Sequence, residues 1–186
     1  MAKLIPWLFL IPPILVTLMA ILTLAHARSP RGRALALFRQ GGDHLHHQRL
    51  DEAEAAFRAC IQLQPAFSPA IGSLASLLVN RQRLDEALPL LDQARALDKT
   101  DARLDLMLGR CHQGLGNPDK AAAVWAAIPE ASDVFVDAMT LLADLYEAQG
   151  DLPEAIRHLQ RGIDKATVFE ARPLKKELKR LQDASA

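Results

Sequence analysis

Apolar positions along this 186-residue chain follow two different patterns. From Leu4 to Ala25, 22 residues run without a charge, and only Thr17, Thr23 and three prolines interrupt the apolar character. At about 1.5 Å per residue such a helix is about 33 Å long, enough for a hydrocarbon core of about 30 Å. Trp7 stands where an interfacial aromatic would, and the Pro12-Pro13 pair is tolerated better in a membrane helix than in the middle of a soluble one. Further along, apolar residues recur at helical spacing. Met139, Leu142, Ala143, Leu145 and Tyr146 lie three and four apart and paint one helix face. Gly150 then stops that helix with a left-handed cap, and Asp151 can cap the next through its carboxylate. Gly116, Asn117 and Pro118 repeat this punctuation one unit earlier, with Pro118 at a first helical position where it sacrifices no hydrogen bond. Leu174, Leu178 and Leu181 stripe a last helix whose other faces carry Lys175, Lys176, Glu177, Lys179 and Arg180.

These segments obey a fixed period. Gly41, Ala75, Gly109 and Ala143 are 34 residues apart, as are Ala53, Ala87, Ala121 and Ala155, and as are the bulky residues Phe57, Leu91, Trp125 and Leu159. Twelve positions in register mark the period of a helical repeat array. The pattern resembles the tetratricopeptide repeat (TPR), and the resemblance implies a small residue where helix A meets helix B, another in helix B, and a bulky one sealing the pair. The paired step typical of that family is present as Leu74-Ala75, Leu108-Gly109 and Leu142-Ala143, with its following aromatic as Tyr146. The proline that closes a repeat is kept as Pro65 and replaced by Lys99, Asp133 and Thr167. Repeats at 34–67, 68–101, 102–135 and 136–169 follow, and 170–186 reads as a polar capping helix. The resemblance implies an all-α chain, a right-handed α-solenoid of four TPR helix pairs plus the cap; the apolar stretch adds one N-terminal transmembrane helix at 1–27 before it, with a basic linker at 28–33. One helix pair cannot bury its apolar face alone, so the repeats must stack.

Two readings of the N-terminal stretch compete. Ala25-His26-Ala27 has the small-x-small form of a signal-peptide cleavage site. The stretch is longer than a signal core of about 7–15 residues, and its front end carries only Lys3 and the amino terminus, which favours an uncleaved anchor. Arg28, Arg31 and Arg33 follow it and favour repeats on the cytoplasmic side of a bacterial inner membrane.

Charge narrows the partner. The formal net charge of zero divides into +5 over residues 1–42 (five basic, no acid), −7 over 43–167 (12 basic, 19 acidic) and +2 over 168–186 (five basic, three acidic). An acidic repeat region lacks the basic footprint that nucleic acid requires. Cys60 and Cys111 fall in different repeats, which is expected to keep them beyond the roughly 7 Å a disulfide allows and gives no Cys-x-x-Cys pair for zinc, so both are expected to be free thiols. His44 and His47 are three apart, a ligand-like spacing, but His44 and His112 occupy the slot that Tyr146 fills in repeat 4, so packing explains them better than metal. No phosphate loop, nucleophile elbow or zinc-protease helix is present. We expect no enzyme activity, no cofactor and no small-molecule substrate.

The resemblance also places a binding surface. In TPR proteins the concave wall comes from repeat positions 2, 5, 9, 12 and 13 of the first helix. Repeat 1 then supplies Leu35, Phe38, Gly42, Leu45 and His46, and repeat 2 Pro69, Gly72, Ser76, Val79 and Asn80. Repeat 3 supplies Arg103, Leu106, Arg110, Gln113 and Gly114, and repeat 4 Asp137, Thr140, Asp144, Glu147 and Ala148. Phe38 and Gly42 stand where the family's carboxylate clamp would begin, so capture of a chaperone's C-terminal carboxylate is not expected. Arg103 and Arg110 are expected to pair with Asp137 and Asp144, leaving Leu35, Phe38, Leu45 and Val79 as an unpartnered apolar patch for a protein or peptide ligand. The layout looks like the small membrane-anchored TPR proteins of bacterial envelope biogenesis, a scaffold reading. A periplasmic chaperone-like module holding an extended client is the alternative.

Overall fold

The computed structural model describes residues 15–19 and 29–185. Residues 15–19 are helical; the rest of the expected span at 1–27, and Arg28 of the expected linker, lie outside the described residues, among which no helix is long and apolar enough to cross a membrane. The described residues from Pro30 onward form α1 (Pro30–His46), α2 (Leu50–Leu63), α3 (Ser68–Asn80), α4 (Leu84–Leu97), α5 (Ala102–Gly114), α6 (Pro118–Ala126), α7 (Phe135–Ala148), α8 (Leu152–Lys165) and α9 (Val168–Ser185). The helices are joined by short turns, and the chain divides into two compact units, residues 1–70 and 71–186.

One turn is used four times. Gln48, Gln82, Gly116 and Gly150, again 34 apart, all have left-handed backbones, with φ of 60°, 59°, 73° and 81°. At each, the amide bonds the carbonyl three residues back (Leu45, Val79, Gln113, Glu147), and the next residue's amide bonds the carbonyl five back (His44, Leu78, His112, Tyr146) at 2.9 Å. This is the paired hydrogen-bond ending that satisfies the last orphan carbonyls of a helix. Glycine adopts it freely, whereas Gln48 and Gln82 hold a conformation that side chains disfavour. Two helix starts carry side-chain caps next to proline: the Ser29 hydroxyl accepts from Gly32 N at 3.0 Å ahead of Pro30, and the Asp151 carboxylate accepts from Glu154 N at 3.2 Å.

In the first unit α1 and α2 form a helix hairpin. Its core joins Ala34, Cys60 and Ala70 to the half-buried Leu37, Phe38, Ile61, Leu63 and Phe67. Gly41 is buried against the ring of Phe57, and a Cβ built there would fall 2.5 Å from Phe57 Cε1. Phe38 contacts two rings, Phe57 at 5.9 Å and Phe67 edge-on at 5.3 Å. The expectation that Phe38 lacks an intramolecular partner is therefore corrected: the aromatic at the end of the α2–α3 turn reaches back to cover it.

The second unit repeats the same crossing with a larger plug. A Cβ on Gly109 would lie 2.1 Å from Trp125 Nε1, and that indole donates to the Leu106 carbonyl at 3.0 Å from a fully buried position. Around it gather Leu106, Ile128, Phe135, Met139 and Leu142. Where the crossing residue is alanine instead, at Ala75 and Ala143, the bulky residue of the same repeat is Leu91 or Leu159. Volume is thus conserved within each pair: glycine with an aromatic, alanine with leucine, as close packing requires. A last cluster of Ala143, Ala155, Leu159, Ile163, Ala171 and Leu181, with Leu174 and Leu178 against it, seats α9. Tyr146 stacks on buried His158 at 5.3 Å. Burial and then Arg157 push the His158 pKa down, keeping the ring neutral in this apolar setting.

Candidate functional site

The eight expected contact residues fall in both units. Leu35, Phe38 and Leu45 belong to the first; Leu35 is exposed and Leu45 half-buried. Val79, Arg103, Arg110, Asp137 and Asp144 belong to the second.

Within the second unit the expected pairing of Arg103 and Arg110 with Asp137 and Asp144 does not form. Arg103 lies in the first turn of α5 and bonds the cap of its own helix, Asp101, at 3.2 Å. Proximity in sequence wins there, because the helix N-terminus already draws a carboxylate to that spot. Asp144 is surrounded by α9 instead. Burial pushes its pKa up, helped by Glu177 and Glu147 and opposed by Arg180. Arg180 binds Glu147 at 2.7 Å and also holds Glu177, so a residue of the capping helix takes the place expected for an arginine of repeat 3. Leu106, expected on the wall, is in the core instead, packed around Trp125.

Arg110 remains exposed, with no acid among the described residues paired to it. It lines a cleft of about 380 Å³ with Val79, Asn80, Gln82, Leu84, Gln113 and Gly114. Four of these besides Arg110, namely Val79, Asn80, Gln113 and Gly114, occupy wall positions expected from the repeat frame. Gln82 and Leu84 enter because the left-handed turn swings the start of α4 toward the end of α5, where Leu84 packs beside Gly114 and the Leu84 carbonyl accepts from the Cys111 thiol at 3.4 Å. The cleft therefore offers an unpaired guanidinium, three amide side chains and an apolar floor. Such a surface can hold an extended or helical segment by its backbone and one acidic group.

A second cleft, about 790 Å³, opens between the α4–α5 and α6–α7 turns and includes Asp98, Asp101, Arg103, Asp105, Pro129 and Asp133. Its charges are mostly consumed internally. Thr100 donates twice to Asp98, lowering that carboxyl's pKa, and Arg95 binds Asp105 at 2.6 Å while burial pushes Asp105 up. It is larger but offers less to a ligand. Cys60 and Cys111 are both free and buried, and burial raises both thiols. The described residues contain no group of three or more metal-ligating side chains.

Family models described as tetratricopeptide repeat match residues 46–67, 81–134 and 138–167, together more than half of the chain. Among curated proteins, lipopolysaccharide assembly protein B of Escherichia coli (strain K12) is 27% identical over 103 residues, 55% of this chain and 26% of that protein. The chain thus spans about a quarter of the length of that relative. Among solved structures, MamA aligns with a TM-score of 0.67 at 20% identity, covering 77% of this chain and 83% of the other. YrrB, described as a TPR protein with an unusual peptide-binding site, aligns at 0.65 and 24% identity, covering 77% and 74%. At these identities the structural likeness speaks for the fold alone: all-helical and solenoid-like.

Proposed function

Because the chain belongs to the tetratricopeptide repeat family, we propose that it is a scaffold that holds a segment of a partner protein, with no chemistry of its own, and that it works at a bacterial inner membrane through its N-terminal segment. The observation that carries the binding role is the cleft of Val79, Asn80, Gln82, Leu84, Arg110 and Gln113, where the exposed Arg110 has no acid paired to it among the described residues and lines one wall with half-buried Val79 and buried Leu84. The ligand chemistry that fits is a peptide with an acidic side chain beside apolar ones. The partial similarity to lipopolysaccharide assembly protein B supports a role in envelope assembly. The test is capture: Arg110→Glu should weaken retention of the partner at least ~10-fold, in the range for breaking a charge-assisted contact at an interface, while helicity and melting stay unchanged. Undiminished capture by a folded Arg110→Glu protein removes the cleft from the account.

The uncharged Leu4–Ala25 stretch and the arginines behind it support an anchor with cytoplasmic repeats. A reporter enzyme active only in the periplasm should then be silent when fused after Ala186. The Ala25-His26-Ala27 sequence favours the second reading, a periplasmic module holding an extended client. An active reporter, or a mature chain beginning near Arg28, selects that reading.

A further inference from the structure

α9 has two faces that serve different ends. At 100° per residue, Ala171, Leu174, Leu178 and Leu181 share one sector, which is the side packed on the second unit. Val168, Phe169, Arg172, Lys175, Lys176 and Lys179 share a second sector, about 120° wide, and all six are exposed. Val168 and Phe169 are 87% and 91% exposed, although they sit in an ordered first turn where Thr167 donates to the Glu170 carboxylate through its amide (2.8 Å) and its hydroxyl (2.7 Å). The helix cannot roll to bury them, because that would unseat Leu181 and break Arg180 from Glu147. None of Arg172, Lys175, Lys176 and Lys179 forms an ion pair among the described residues, and Glu177, the acid beside Lys176, is already held by Arg180. Asp183, near the far end, is the one acid in the sector.

We propose that this face of α9 docks on an anionic lipid bilayer, with Val168 and Phe169 entering the interface and the four basic side chains meeting headgroups. Apolar peptide anchors are usually received in a groove or along a free sheet edge. Here the apolar pair projects from a convex helix start, and neither of the two clefts described above includes an α9 residue. A bilayer surface accepts a convex apolar wedge, and its negative charge attracts distributed lysines without fixed register. This docking does not depend on the N-terminal anchor or on the peptide cleft.

The test uses the full chain with Phe169→Cys carrying an aromatic, environment-sensitive label; Cys60 and Cys111 are buried, so the new thiol is the exposed one. In vesicles containing phosphatidylglycerol, brominated acyl chains should quench the label strongly, and in pure phosphatidylcholine weakly. Each basic residue neutralised to glutamine among Arg172, Lys175 and Lys179 should weaken the contact about fivefold, and lysine-to-arginine changes should preserve it. The same label on exposed Asp119→Cys of α6 should stay unquenched, which separates docking by α9 from mere attachment through the N-terminal segment. Equal quenching in neutral lipid, equal quenching at position 119, or survival of quenching in a folded triple Glu variant overturns the proposal. So does shielding of the 169 label that grows with protein concentration in the absence of lipid, which would mark a second copy as the occupant.

Discussion

Trp125→Ala lowers the unfolding free energy of the second unit by about 3–5 kcal/mol, the range for emptying a large aromatic site in a core. The indole is fully buried, touches the backbone of α5 at Gly109, and is surrounded by Leu106, Phe135, Met139 and Leu142 from α5 and α7. No neighbour can fill the space, because the helices around it are held by their own turns. The substitution also leaves the Leu106 carbonyl without the donor it now has at 3.0 Å, adding to the loss. Urea unfolding of the full chain followed by circular dichroism measures it. A shift well under 1 kcal/mol would mean that the plug of repeat 3 is some other residue.

Gly109→Ala has an effect of similar kind and opposite geometry. In an unpacked helix, alanine for glycine stabilises by about 1 kcal/mol. At this crossing the added methyl would meet the indole at 2.1–2.5 Å, and the overpacking costs about 1–3 kcal/mol. Trp125→Leu alone leaves a void. The double variant recreates the alanine-leucine pairing of Ala75 with Leu91 and Ala143 with Leu159, so it should be less destabilised than the sum of the single changes by more than about 0.5 kcal/mol, the scatter of independent sites. Additive behaviour would show that the two positions do not share one volume.

That pairing explains how much of the fold was legible. A 34-residue recurrence of small and bulky residues is a direct trace of a packing constraint, so the helices and their crossings could be read from residue types alone. The turn was half legible: Gly116 and Gly150 announce a left-handed cap, but Gln48 and Gln82 adopt the same φ with no sequence signal, because the two hydrogen bonds of the turn outweigh the backbone preference. Side-chain partners were the least legible. The repeat frame points Arg103 across the wall to the next repeat, but Asp101, two residues away, takes it. Asp144 and Glu147 were placed on an open wall, yet Arg180 of the capping helix reaches them, and nothing in the repeat frame says on which side that helix returns. The repeat frame leaves Phe38 bare because it gives Phe57 to the crossing at Gly41 and does not include Phe67, which lies in the turn after α2; the structure puts both rings against Phe38. Within the second unit, the part of the expected wall that survives as a cleft is the part whose charge found no local partner, Arg110 beside Val79.

The most direct measurement is in-cell photocrosslinking with a photoreactive residue in place of Val79, compared with the same residue in place of Lys120 on the exposed surface of α6. A partner segment held in the cleft gives a discrete adduct from position 79 that Arg110→Glu suppresses, and none of that species from position 120. An adduct of equal yield from both positions, or none from position 79 in cells where position 120 gives one, contradicts the account.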